Sequence, residues 1–501
     1  MSTLKKLAGQ TAIYGLSSII GRFLNYLLVP LYTYNFPPDK YGIVTEFYAY
    51  VVVLQILLTY GMETGYFRFS QKENIAEERV FSTVLTSVFS TSLIFVLFIF
   101  SFASQIARAM GYAHHKQFIQ IFAVILAADA ISAIFFARLR QQNKAIKFAA
   151  LKIFNILVNI AFNLFFILLC PKMQNSNFCF FYNPNFSVGY IFLANLIASI
   201  SVLLIFLPEL FKIKLTFDYK LWKQILVYSL PLLITGLTGS VNEMADRILL
   251  KYWTVVPQNV VDKTDYVLYQ LGIYGANAKL AVLMMLFVQA FRYAAEPFFF
   301  SYARKNKSLS VFADVMKYYI AFAFAVFLAI MLNLDIIKYF ISSKYFEGLK
   351  VVFPLFLSRI LVGVFFILSF WYKLNDITKY GMIIFAIGAI ITVALNAFMI
   401  PHFGYMGAAW TNFTTYFVMV MISYFWSKKY MPVKYDFKRI FFYIIFAITL
   451  YLFSKYIDNK VFIIKLIIKN ILLIIYLIVL FKIEKFTIRN LLSIKHKHYG
   501  S

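Results

Sequence analysis

Apolar residues fall in long, nearly unbroken runs along this chain, separated by short polar connections. A bilayer core takes about 20 apolar residues per helix, and runs of that length lie near residues 11–34, 41–62, 80–103, 117–138, 148–170 and 187–208. The pattern resumes near 224–250, 267–295, 314–334, 351–372, 380–400 and 405–426, and closes with 439–456 and 461–481. About fourteen transmembrane helices are therefore predicted. Barrel strands are excluded, because they alternate apolar and polar positions over only about ten residues. The expected fold is an all-α integral membrane protein. It comprises a six-helix bundle over 1–210, a second over 211–430, and two further helices with a basic tail over 431–501.

Composition agrees with this pattern. Of 501 residues, 62% are hydrophobic and 14% charged, against about 45–50% and 25% in globular domains, which excludes a soluble enzyme. The chain carries 48 Lys+Arg against 21 Asp+Glu, a net +27. In a soluble protein that excess would point to nucleic acid, but here it follows topology. Basic loops stay cytoplasmic. The alternate connections that include both termini hold roughly 28 basic residues, against about 11 on the other side. Both termini are thus expected on the cytoplasmic side of the membrane, and no nucleic-acid partner is called for. A basic inner face also attracts anionic membrane lipid. No outer connection exceeds about twenty residues, too little for the loop domain that membrane glycosyltransferases use, so an enzyme is not expected. Cys170 and Cys179 are too few for a thiolate metal site and stand open between a disulfide and two thiols. No metal or cofactor is expected.

Spans six apart share features. Tyr41-Gly42-Ile43 opens the second as Leu271-Gly272-Ile273 opens the eighth; Asn159 and Asn163 in the fifth correspond to Thr392 and Asn396 in the eleventh; Gly189 and Gly407 open the sixth and twelfth. Units of six helices share one orientation, related by a pseudo-two-fold axis along the membrane normal, with the pathway expected between them. Within this frame, the stretch Asn396-Ala-Phe-Met-Ile-Pro401-His-Phe-Gly404-Tyr-Met-Gly407-Ala-Ala409 stands out. So do Asn242-Glu-Met-Ala-Asp246-Arg247, Gly272-Ile-Tyr-Gly-Ala-Asn-Ala-Lys279 and Ala295-Glu-Pro-Phe-Phe-Phe300. Together they resemble bacterial polysaccharide exporters of the lipopolysaccharide (O-antigen-type) flippase family, in the multidrug/oligosaccharidyl-lipid/polysaccharide flippase superfamily. The resemblance spans the first twelve helices. It implies a flippase that moves a polyprenyl-pyrophosphate-linked oligosaccharide to the outer leaflet. A monomer working alongside polysaccharide assembly enzymes is expected.

Nine basic residues fall inside the predicted spans: Arg22, Lys152, Arg247, Lys279, Arg292, Lys317, Arg359, Lys465 and Lys469. Lys317, Lys465 and Lys469 lie near helix ends and are expected to snorkel to the headgroups. Each of the other six costs about 2.5–3.5 kcal/mol at a helix centre on the insertion scale. They should face a wet cavity or a partner, and they form a candidate cationic cleft for a pyrophosphate. Local ion pairs at i,i+4 are the structural alternative for Glu243 with Arg247 and for Arg292 with Glu296. Lys152, Asn155, Asn159 and Asn163 share one helix face, suited to sugar-binding amides or to bonds between helices. Glu46, Asp129 and Asp246 are candidates for coupling H+ or Na+. A cation-coupled multidrug-type exporter would use the same acids, although the excess of bases over acids runs against a pathway for cationic drugs.

Overall fold

The computed structural model describes residues 20–21, 23–173, 182–214, 216–305, 309–457 and 461–484. Arg22 and Cys179 lie outside them, as does most of the first predicted span, whose last part is α1 (Leu28–Asn35). Every regular element among the described residues is helical, and twelve helices are long and apolar enough to cross a membrane. The chain is a multi-pass membrane protein.

α2 (Pro38–Thr59) starts with proline in its first turn and Asp39 beside the unpaired amides, both favourable at a helix N-terminus. Left-handed Tyr60 and Gly61 end it before α3 (Met62–Phe69). There follow α4 (Glu77–Ala109), α5 (Lys116–Gln141), α6 (Ala145–Leu164), α7 (Gly189–Leu210) and α8 (Tyr219–Trp253). Asp218 caps α8 by accepting from the Leu221 amide at 3.1 Å, and Pro231 lies inside α8 without ending it. The eighth span is split into α9 (Lys263–Leu280) and α10 (Val282–Lys305). Next come α11 (Ser310–Met331), the short α12 (Leu334–Ile337), α13 (Val352–Leu368), α14 (Phe370–Leu374), α15 (Lys379–Tyr430), α16 (Phe437–Lys455) and α17 (Phe462–Ile483). The 52 residues of α15 bend at Gly404, with φ 55° and ψ −139°. That backbone region is essentially restricted to glycine, so the turn expected between the eleventh and twelfth spans sits at this residue.

Packing sorts the chain into two compact units. The first holds residues 1–279, 344–348 and 385–415; the second holds 280–343, 349–384 and 416–501. Unit 1 has a core rich in aromatic rings, with Phe122 at 4.8 Å from Phe47 and 4.6 Å from Phe192, and Phe135 stacked on Phe206 at 4.8 Å. Its α2 and α9 cross through the two glycines of the sequence repeat. A Cβ on Gly42 would collide with the carbonyl of Leu268, four residues before Gly272, and one on Gly272 would collide with the carbonyl of Pro38, four residues before Gly42. The contact is reciprocal, as a local two-fold requires.

In unit 2 the basic residues expected to snorkel are instead held by acids. Lys317 bonds Glu484 at 3.0 Å and Asp314 at 3.3 Å, while Lys465 and Lys469 reach Asp335 at 2.8 and 3.0 Å. Lys317 and Lys469 are buried, and at buried positions a carboxylate replaces the water that a snorkelling ammonium would seek. Glu484 also accepts from Tyr443 at 2.6 Å and Arg439 at 3.3 Å. These acids tie the last two helices, α16 and α17, to α11 and α12.

Candidate functional site

Arg247 lies two turns from the end of α8. Its Nη1 donates to Asp246 Oδ1 and to the main-chain oxygen of Glu243, both at 2.9 Å. The pair proposed from spacing, Glu243 with Arg247, is therefore replaced by one with the neighbouring Asp246. Asp246 is the more deeply buried acid, at 2% exposure, and a buried carboxylate leaves the larger penalty if unpaired. Tyr274 of α9 donates its hydroxyl to the other Asp246 oxygen. Asp246 is thus fully engaged by protein. Lys279, at the end of α9, has an exposed side chain. No carboxylate pairs with it among the described residues, and the charged group that acts on it is Arg247. Asp246 is thus taken by Arg247, and the Lys279 charge has no paired carboxylate among the described residues.

Lys152 of α6 is also exposed, its Nζ 4.0 Å over the Phe136 ring. No ion pair within 4.0 Å holds it among the described residues, and Asp129 and Glu63 are the acids acting on it. Asp129, half-buried in α5, lies beside Ser199. The asparagines on the Lys152 face divide. Asn163 is buried, accepts from Tyr32 at 3.0 Å and donates to Asn159 at 2.9 Å, and Asn159 donates to Asn25 at 3.5 Å. Those two join α6 to the first span, while Asn155 is half-buried with Lys152 one turn away.

Glu46 is fully buried. Lys251 donates to both of its oxygens at 2.8 Å and to the Met110 carbonyl at 2.5 Å, and Tyr112 adds a hydroxyl. Lys251, placed by the hydropathy pattern in an outer connection, is in fact in the last turn of α8, which runs to Trp253. The signal in the sequence was its position four residues after Arg247 on a helix, opposite an acid in the second span that needed a counter-charge. A second polar cluster contains both Thr392 and Asn396 of the repeat. Thr392 donates to Asn242 at 3.3 Å and to Thr415 at 3.2 Å, and neither amide atom of buried Asn396 has a hydrogen-bond partner among the described residues.

Arg292 and Arg359 belong to unit 2. The i,i+4 bond of Arg292 to Glu296 is not formed: Glu296, 48% exposed, lies 3.9 Å from Lys373. Arg292 and Lys373 instead stack over the same Phe366 ring, at 4.9 and 5.0 Å from its centre. An aromatic face attracts both cations without neutralising either. Arg359 is buried in α13 with its Nη1 unbonded. The structure thus pairs Arg247 with Asp246 and sets Lys152 over Phe136, while Arg247 repels Lys279 and Asp129 attracts Lys152 without an ion pair within 4.0 Å among the described residues. Arg292 gathers with Lys373, a residue that hydropathy put in a loop.

A family model described as polysaccharide biosynthesis protein matches residues 7–303. Among solved structures, the lipid II flippase MurJ in an inward closed conformation superposes with a TM-score of 0.71 at 15% identity, covering 94% of this chain and 98% of that one. An inward-facing multidrug resistance MATE family transporter of the MOP superfamily gives 0.60 at 14% identity, with 84% and 94% covered. A MOP superfamily transporter from Pyrococcus furiosus gives 0.52 at 12%, with 86% and 98% covered. No curated protein sequence matches. The fold is that of the MOP superfamily, and with well over half of its length matched by the family model, the chain belongs to the polysaccharide biosynthesis protein family.

Proposed function

We propose that this protein is a flippase that carries a polyprenyl-pyrophosphate-linked oligosaccharide from the inner to the outer leaflet of a bacterial cytoplasmic membrane. It works by alternating access, with both termini in the cytoplasm. In this reading the two six-helix bundles, 1–210 and 211–430, rock against each other, and 431–501 is an added pair of helices. The observation that supports the cargo is Lys279: an exposed ammonium in a membrane helix, under the repulsion of Arg247 and with no carboxylate paired to it among the described residues. Like charges in a span are unfavourable unless water or an anion compensates, and a pyrophosphate supplies that anion. Lys152 and Asn155 extend the surface for the sugar end. Arg22 is proposed to join them, and Arg292 with Arg359 to serve the later half of the pathway. The family's role in polysaccharide biosynthesis and the lipid cargo named for MurJ favour the same reading.

Coupling to H+ or Na+ is assigned to Asp129, because Glu46 and Asp246 are held by Lys251 and Arg247. That pairing also weighs against a multidrug-type exporter, which would need those acids for cationic drugs. Surface glycan in a deletion strain, complemented with Lys279→Ala or Lys279→Arg, tests the proposal. Export should fall at least tenfold with alanine and be largely kept with arginine. Wild-type export with alanine would refute it, and drug hypersensitivity with an intact surface coat would favour the exporter.

A further inference from the structure

Where α4 begins and α7 ends, unit 1 contains a cavity of about 240 Å³. Thr86 and Phe89 of α4, Ile131 of α5, Leu203 and Leu207 of α7, and Phe217 form much of its wall. The lining is apolar apart from the Thr86 hydroxyl, which is buried without a hydrogen-bond partner among the described residues. An apolar cavity of about 150 Å³ stays dry and takes up a benzene ring, so this one has room for part of an alkyl chain.

Because Leu210 and Phe217 both line the cavity, the chain segment between them adjoins it. It carries Lys212 and Lys214, and Lys220 follows in the first turn of α8; all three are exposed. The segment is fastened in place: Ser82 Oγ donates to the Thr216 carbonyl at 2.9 Å and accepts from the Thr216 amide at 2.6 Å, and Thr83 Oγ1 accepts from the Asp218 amide at 3.3 Å. The acids of this region are already engaged, Asp218 by Arg79 at 2.5 Å and Glu209 by Lys147. Among the described residues no carboxylate pairs with Lys212, Lys214 or Lys220. A slot shaped for hydrocarbon is thus adjoined by a segment that carries exposed positive charge with no paired carboxylate among the described residues. It lies at the end of the bundle that the basic-loop asymmetry assigns to the cytoplasm, where anionic lipid headgroups concentrate.

We infer that this slot binds an anionic phospholipid of the cytoplasmic leaflet, with one acyl chain between α4, α5 and α7 and the phosphate held by Lys212 and Lys214. The site is separate from the residues assigned to the cargo. Its test is lipid binding by the full-length protein, followed by native mass spectrometry with phosphatidylglycerol and phosphatidylcholine at equal concentration. Phosphatidylglycerol should be retained in preference. The double variant Lys212→Gln/Lys214→Gln should lose that lipid roughly 30-fold at low salt, as expected for two basic residues near an anionic headgroup, and bind phosphatidylcholine unchanged. Leu207→Trp, which fills the slot, should weaken both lipids. Equal retention of the two lipids by the wild type, or unchanged phosphatidylglycerol binding in the double lysine variant, overturns the inference. Both lysines are exposed, so their replacement leaves folding intact and remains decisive should Leu207→Trp misfold. Displacement of bound phosphatidylglycerol by polyprenyl phosphate would also overturn it, giving the slot to the carrier lipid.

Discussion

Removing one partner of the Glu46–Lys251 pair tests whether buried charge in this protein is held by specific geometry. Glu46 is fully buried and the Lys251 side chain is 9% exposed, with Nζ 2.8 Å from the carboxylate. At that distance and an effective dielectric of about 20, the attraction is about 6 kcal/mol, most of it offset by the desolvation of two charges. Breaking such a pair from one side leaves the other charge uncompensated and costs about 3–5 kcal/mol. Glu46→Gln keeps the shape and one acceptor, so the lower end, about 3 kcal/mol, is expected. Lys251→Met should cost as much, since Glu46 would keep only the Tyr112 hydroxyl. The double variant removes both charges and should cost about 3–4 kcal/mol rather than the additive sum of about 6, a coupling energy of about 2–3 kcal/mol. Tyr112→Phe alone should cost about 1.5–3 kcal/mol, the usual worth of a hydrogen bond to a charged group. Denaturant unfolding of purified protein in detergent, followed by tryptophan fluorescence, measures all four. Single variants within about 0.5 kcal/mol of wild type, or a strictly additive double variant, would refute the reasoning.

Other expectations follow from the same structure. Gly42→Ala and Gly272→Ala should each destabilise by about 1–3 kcal/mol through overpacking, and by equal amounts because the contact is reciprocal; a large inequality in melting temperature would contradict that symmetry. Gly404→Ala should cost about 1–3 kcal/mol, because its backbone region is strained for any residue with a Cβ; an unchanged melt would show that the bend relaxes. Acid should loosen the end of unit 2. Burial would raise the Glu484 carboxyl, but the Tyr443 hydroxyl and the Lys317 and Arg439 cations outweigh it and hold the group below its ordinary 4.5. Lys465 and Lys469 likewise outweigh burial and hold Asp335 below 3.8. A lowered folded value means stability that is complete above the unfolded value and lost as pH falls through the folded one. Melts taken from pH 6 down to 3 should therefore fall below about pH 4.5, less steeply in Glu484→Gln, and an identical slope in that variant would contradict the assignment.

The spans were legible because lipid demands long apolar runs, and most of the predicted runs coincide with a helix among the described residues, although the eighth is split after Leu280 and extends to Lys305. The bend at Gly404 was legible too, since the motif around Pro401 and Gly404 marked a turn. Ion-pair partners were not. Spacing along one helix pointed Arg247 to Glu243 and Arg292 to Glu296, whereas burial and neighbouring helices selected Asp246 and left Arg292 over Phe366. Periodicity carries no information about which helix lies alongside, so Lys251 and Lys373 were read as loop charges. The glycine repeat was visible as a pattern, but that its two members touch each other could come only from the packing.

Where α2 crosses α9, main chain lies against main chain with nothing interposed. Parting two such strips of backbone exposes little hydrocarbon to water, and at about 25 cal/mol per Å² a small area resists weakly. Among the described residues no ion pair adds to the grip at this crossing, because the carboxylate one turn further along, Glu46, is held by Lys251 of α8. A joint built that way has low stiffness, whereas the buried pair fastens α2 to α8, so α9 is the neighbour that parts from α2 more readily.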